Sequence, residues 1–280
     1  MRLSFEDAFS SAFEAARGFR WTEYAPFFWI LATQWIFLAL STQLHTGWAM
    51  SIVAPLARLA GGEAHLHYPG FFGYLSILLG WLESFLYAIP GAVLIPLALL
   101  RLYARTDRAL SLGAGAASRL AGAFLPTLVS GLAGIGAIWG WQRYASPVVT
   151  SSIRGAVTGS LGGLLGWLAI TLGSYVILTL LLYVPVAAVQ ARTNPIRAFA
   201  YGIRFGLRSW PLTLTFAILF GIPAILVQFM IERQGTLLLA RLRPELVTVL
   251  LGLYAAVTSM ATYFTYAAAA RLYRFARGDE

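Results

Sequence analysis

Cysteine is absent from the 280 residues, which removes disulfides, thiolate nucleophiles and Cys-based metal sites from consideration. Lysine is absent as well, so all 20 basic residues are arginine. Arginine-only usage is the mark of a GC-rich genome as much as of function, but the guanidinium still grips phosphate through a planar fork rather than as a point charge. Histidine is nearly absent: His45, His65 and His67 are the only three, and none lies in a long apolar run. A haem-binding bundle takes its axial histidines from within its helices, so that class is disfavoured. No Gly-x-Ser-x-Gly stands beside a base, no His-Glu-x-x-His is present, and no glycine loop suits a phosphate. These gaps argue against an enzyme, leave no catalytic residue to name, and imply no cofactor and no metal.

Charge is scarce too. Charged residues make up 11% of the chain, against about 25% in a soluble domain. Hydrophobic residues make up 59% and mean hydropathy is +0.73. Apolar runs of about 20 residues match the roughly 30 Å hydrocarbon layer. Six such runs occur, near 24–44, 74–102, 122–142, 163–190, 210–231 and 246–270. The strict alternation of a barrel strand is missing, so helices are expected to satisfy the backbone. The expected class is an all-α, polytopic membrane protein.

The formal charge of +9 would suggest nucleic acid in a soluble chain; here the placement of the arginines accounts for it, and no nucleic-acid partner is expected. Fourteen arginines fall in the N-tail, the second and fourth loops and the C-tail, and six on the opposite face. The positive-inside rule then places both termini in the cytoplasm, with a bacterial inner membrane as the expected location. Residues 1–20 carry Glu6, Asp7 and Glu14 before any apolar run. That is not the basic start and immediate apolar core of a secretory signal, so insertion is expected to be directed by the first span.

A repeat organises the chain. Ser4-Phe5-Glu6-Asp7, Ala104-Arg105-Thr106-Asp107 and Ala191-Arg192-Thr193-Asn194 each open a stretch of amphipathic character that runs into an apolar hairpin. In the first copy Phe5, Phe9 and Phe13 recur every four residues, with Ser4 as a candidate N-cap. In the third, Asn194 is the cap and Pro195 takes the first helical position. Ile196, Phe199, Ala200, Ile203 and Leu207 form an apolar stripe beside Arg197, Tyr201, Arg204 and Arg208. That is the pattern of a helix lying in the interface. The middle copy, 107–120, is weakened by Gly113 and Gly115. The expected fold is one domain over 1–280: three helical hairpins in pseudo-threefold arrangement, each preceded by a cytoplasmic-side amphipathic helix. The repeat units run approximately 4–103, 104–190 and 191–275.

Arg197, Arg204, Arg208, Arg271 and Arg274 are the candidate contacts to anionic headgroups, each worth about 1 kcal/mol near such a leaflet. Glycines at four-residue steps (155, 159 and 163; 162 and 166; 136 and 140) suggest close helix packing. Pro90, Pro96, Pro185 and Pro223 are expected to kink spans.

Polar residues in the spans are few. Glu83 is the only acid within the six runs, and a carboxylate inside the membrane marks function by default. Counted back from Arg101 along a straight helix, however, it falls roughly 27 Å away, at the outer edge. Gln34 sits mid-span in the first run, and Thr258, Thr262 and Thr265 share one face of the last. With Glu83 these make a candidate polar path, although bonding between helices explains such residues equally well. His45, His65 and His67, with Glu63, could hold a divalent ion or support lipid chemistry at the outer face, but no fixed fourth ligand is apparent.

The Phe-rich start, residues 197–211 with Arg208-Ser209-Trp210, and the closing Thr265-Tyr266 and Arg271-Leu272-Tyr273-Arg274 resemble a broad group of six-span bacterial proteins. The group includes the YciC-like proteins and the membrane domain attached to some glycerophosphodiester phosphodiesterases. No phosphodiesterase domain lies within these residues, so that activity is not carried over, and the resemblance implies no substrate. Two expectations stand. The first is a non-enzymatic accessory or scaffold subunit, or lipid-organising module, with other membrane subunits and anionic lipids as partners. The alternative is a small-molecule or lipid transporter with a path between the hairpins.

Overall fold

The computed structural model describes residues 3–42, 51, 54–55, 58, 70–105, 115–156, 160–190, 194–240 and 245–277, and these are helical with no strand among them. The helices are α1 (Phe5–Arg17), α2 (Trp21–Thr42), α3 (Gly70–Ala88), α4 (Gly91–Tyr103), α5 (Ala116–Gly140), α6 (Ser146–Ala156), α7 (Ser160–Leu181), α8 (Tyr183–Gln190), α9 (Pro195–Ala240) and α10 (Glu245–Arg277); a π-helical turn, Trp141–Ala145, joins α5 to α6. Five segments are long and apolar enough to cross a membrane: Trp21–Thr42, Ala116–Ala145, Leu161–Gln190, Pro195–Ile231 and Leu246–Arg277. The pair α3–α4, bent by 59°, is apolar and long enough for a sixth when its two halves are taken together. The chain is therefore a multi-pass helical membrane protein whose spans follow the six apolar runs.

Local chemistry sets the helix starts. Ser4 caps α1 in a reciprocal box: Ser4 N–H donates to Asp7 Oδ2 at 2.6 Å and Asp7 N–H to Ser4 Oγ at 3.2 Å. Asn194 caps α9 by accepting from Ile196 N–H at 3.0 Å, with Pro195 at the first position. The break between α3 and α4 falls at Ile89-Pro90, where proline supplies no amide donor. Gly131 of α5 seats the bend, since a Cβ there would lie 3.0 Å from Ala88 Cα.

The six spans close into a ring. α2 packs on α4 and α10, α4 on α5, α5 on α8, α8 on α9, and α9 on α10. The closure between the first and last spans is polar as well as apolar. Tyr24 Oη and Ser259 Oγ are 3.1 Å apart, Ser259 donates to Phe27 O at 3.3 Å, and Trp35 Nε1 donates to Gly252 O at 3.0 Å. Near the termini this seam becomes an aromatic knot: Tyr263 lies 5.6 Å from Phe19, 5.7 Å from Tyr24 and 5.8 Å from Phe27, all edge-on.

The main core fills the end of the bundle that carries the termini. Leu99, Leu100 and Tyr103 of α4 meet Tyr183, Val186 and Ala187 of α8 and Ala268, Ala269, Leu272 and Tyr273 of α10, all buried. Phe205 stands edge-on to Tyr183 at 4.6 Å and to Tyr273 at 4.9 Å. Lipid tails are as apolar as leucine, so small residues that let backbones approach do the packing. Gly202 and Gly206 on α9 face the backbones of Val184 and Leu180, with no room for a Cβ.

Several expectations are corrected here. Residues 194–208 do not form a separate interfacial helix; they are the first turns of α9, which runs unbroken for 46 residues. The junction Gly206–Pro211 is poor in helix formers, so packing of Gly202 and Gly206 on the neighbouring backbone holds it helical, and Pro211 removes only one donor without stopping the helix. Span four, Leu161–Gln190, is interrupted only at Leu182, three residues before Pro185, where a kink is expected. In α1 the phenylalanines face outward, with Phe13 69% exposed, while Ala8, Ser11, Ala12 and Ala15 pack on α10. Gly136, Gly140, Gly155 and Gly163 touch nothing where a Cβ would sit, whereas Gly166 packs on Thr150, so of the stepped glycines only some mark a close approach. Residues 106–114, which hold most of the middle amphipathic stretch, lie outside the described residues.

Candidate functional site

A cavity of about 650 Å³ occupies the middle of the ring, well within the range of small-molecule pockets. It is lined from α3, α4, α5, α7, α9 and α10, whereas α2 lines none of it. On α10 the lining runs from Tyr254 to Tyr266, which is about 18 Å of helix. The buried core around Tyr103, Tyr183 and Tyr273 closes the end near the termini. At the far end stand Gln142, which is exposed, Gln228 and Tyr254.

Glu83 projects from α3 into this space. The 59° bend is absent from a straight-helix count: the seven residues before it advance only half as far along the axis of α4, so Arg101 and Glu83 are separated by about 22 Å along that axis rather than 27 Å. Among the described residues no hydrogen bond or ion pair engages its carboxylate. Tyr87, one turn further along α3, and Tyr175 of α7 line the cavity beside it.

Thr258, Thr262 and Thr265 of α10 also line the cavity. Thr262 Oγ1 donates to Thr258 O at 2.8 Å and Thr265 Oγ1 to Ala261 O at 2.7 Å. Other lining hydroxyls do the same: Ser84 donates to Gly80 O at 2.9 Å, Ser130 to Thr127 O at 2.9 Å and Ser174 to Ile170 O at 3.2 Å. Each spends its single proton on its own helix and keeps oxygen lone pairs to offer. These five hydroxyls present acceptors, while the Thr127 and Thr258 hydroxyls have no partner among the described residues, and no described arginine belongs to the lining.

Of the five residues expected on a polar path, the fold brings together Glu83, Thr258, Thr262 and Thr265. Gln34 is left out: it is buried on α2, away from the cavity, and its Oε1 has no partner among the described residues. Trp167 and Tyr175 belong to the site without having been singled out. Their signal was a polar and aromatic stripe at helical spacing in the fourth run, Trp167, Thr171, Ser174 and Tyr175.

The rim arginines divide. Arg197, Arg204 and Arg208 are exposed along one side of α9. Arg271 is engaged within the protein, its Nη1 lying 2.6 Å from Glu14 Oε2 and tying α10 to α1. Arg274 also has interactions inside the chain. Two further arginines tie down the chain near the start of α2: Arg101 donates to Thr22 O at 2.7 Å and Arg105 to Gly18 O at 2.8 Å. Arg105 lies 3.3 Å from Glu23 Oε1, and Tyr263 Oη donates to Glu23 Oε2 at 3.1 Å. Glu23 is only 2% exposed. His45, Glu63, His65 and His67 lie outside the described residues. Among the described residues no cluster of three His, Cys, Asp or Glu could hold a metal. Comparison with protein-family models, with curated proteins and with solved structures finds no match.

Proposed function

We propose that the chain is a membrane transporter or permease for a small molecule, with the central cavity as its binding site. The observation that carries this reading is the convergence of Glu83, Thr258, Thr262 and Thr265 on one cavity of about 650 Å³. An unpaired carboxylate inside a membrane costs several kcal/mol, so Glu83 facing a cavity favours a ligand site, and tight packing of these residues would have argued for a scaffold. The buried core of Tyr103, Tyr183 and Tyr273 supports the same reading, since it closes one end of the cavity as its base. The arginine bias puts that base on the cytoplasmic side, with the exposed Arg197, Arg204 and Arg208 at anionic headgroups and the membrane a bacterial inner membrane. The cavity is then open toward the outside, one state of an alternating-access cycle.

The absence of cysteine makes a direct test simple. Thr262→Cys and Gln34→Cys are each introduced alone and exposed in whole cells to a membrane-impermeant maleimide. Thr262→Cys reacts from the outside and Gln34→Cys does not. Inertness of Thr262→Cys from both sides, with Gln142→Cys reacting as the control at the mouth, overturns a hydrated path.

A further inference from the structure

We propose that the ligand of this cavity is an organic cation with an apolar body, held by Glu83 as its counter-ion. This rests on the reading of the cavity as a ligand site and names the class of ligand. Four features of the lining point the same way. First, the Glu83 carboxylate has no ion-pair or hydrogen-bond partner among the described residues, although the chain as a whole carries +9. An unpaired carboxylate in a low-dielectric cavity is costly, and a bound cation removes that cost. Second, among the described residues no arginine lines the cavity, so no fixed positive charge there favours an anion such as a phosphate headgroup.

Third, the lining hydroxyls of Ser84, Ser130, Ser174, Thr262 and Thr265 have given their protons to helix carbonyls. What they present is acceptor lone pairs, which suit a cationic ligand or its ammonium protons and not a carboxylate or phosphate. Fourth, the lining is strongly aromatic: Tyr87, Trp167, Tyr175, Tyr254 and Tyr266 all contribute, and none is fully buried. Aromatic rings attract cations through their quadrupoles and cover apolar substituents at the same time. A carboxylate, acceptor oxygens and aromatic rings, with no fixed positive charge, form a receptor for a substituted ammonium or phosphonium ion.

The test uses the purified full chain in detergent and a pair of ions of nearly the same shape and opposite charge. Tetraphenylphosphonium and tetraphenylborate are titrated separately against wild type, Glu83→Gln and Thr258→Trp, the last of which narrows the cavity beside Tyr254 and Thr262. The expected result is saturable binding of the phosphonium, weakened at least tenfold by Glu83→Gln and abolished by Thr258→Trp, with the borate binding at least tenfold more weakly. Both variants are compared with wild type for monodispersity and thermal midpoint; if Glu83→Gln is misfolded, Glu83→Asp, which keeps the charge, restores binding. Saturable binding of both ions that Thr258→Trp removes and Glu83→Gln leaves unchanged overturns the cation assignment while leaving the cavity as a ligand site. Absence of saturable binding by either ion, with wild type and Thr258→Trp indistinguishable, overturns the ligand site as well.

Discussion

Gly202→Ala should destabilise the bundle, although helix propensity alone predicts the opposite. Alanine at an exposed interior helix position is favoured over glycine by about 1 kcal/mol. At Gly202 the added Cβ would lie 2.5 Å from Val184 Cα, 2.8 Å from Val184 N and 2.9 Å from Tyr183 O. All three are backbone atoms, so no rotamer change relieves the clash, and α8 must move by about 1 Å to reach ordinary contact near 3.5–4.0 Å. α8 cannot move alone. Tyr183 shares a 2.8 Å hydrogen bond with Thr213 Oγ1 and packs on Phe205 and Tyr273 at the base of the cavity. Overpacking of this kind costs about 1–3 kcal/mol and reaches the upper end when backbone must shift, so the net loss is about 2 kcal/mol after propensity is credited. Gly136→Ala is the matched control, because nothing lies within 4 Å of its Cβ position; it should be neutral or stabilising by up to about 1 kcal/mol. The assay is thermal unfolding of each purified variant in one detergent, read as loss of the monodisperse peak. A Gly202→Ala protein as stable as Gly136→Ala would refute the claim that backbone contact between α8 and α9 sets the packing.

Two further outcomes follow from buried polar groups. Glu23→Ala should cost about 2 kcal/mol, below the 3–5 typical of a broken buried pair because Arg105 is 27% exposed and keeps the Gly18 carbonyl. A double-mutant cycle with Arg105→Ala checks this; additivity within about 0.3 kcal/mol shows the two residues uncoupled. Gln34→Met should leave accessibility of the cavity unchanged and raise stability by about 1 kcal/mol, since it removes a buried acceptor with no partner among the described residues. A lower thermal midpoint for Gln34→Met counts against that assignment.

Much of this molecule was legible from composition and spacing. The six spans are a matter of length and hydropathy, because a bilayer of fixed thickness selects runs of about 20 apolar residues. The caps at Ser4 and Asn194 follow from local hydrogen bonding, and so does the interruption at Pro90. Thr258, Thr262 and Thr265 could be placed on one face by period alone. Other features depend on distant segments meeting. Glu83 reaches the cavity because the chain bends by 59° beneath it, and no count along a straight helix contains that angle. Nothing in the sequence singled out Glu23; Arg105 and Tyr263 close on it from 82 and 240 positions away. Gln34 and Thr258 were equivalent as polar residues within spans; the ring closure put one between packed helices and the other on the cavity wall. Periodicity reports which residues share a face, because that is a property of one helix. Which faces meet, and whether they leave a space between them, is settled by how six helices pack at once, and that rests on backbone contacts such as Gly202 on Val184 that hydropathy does not register.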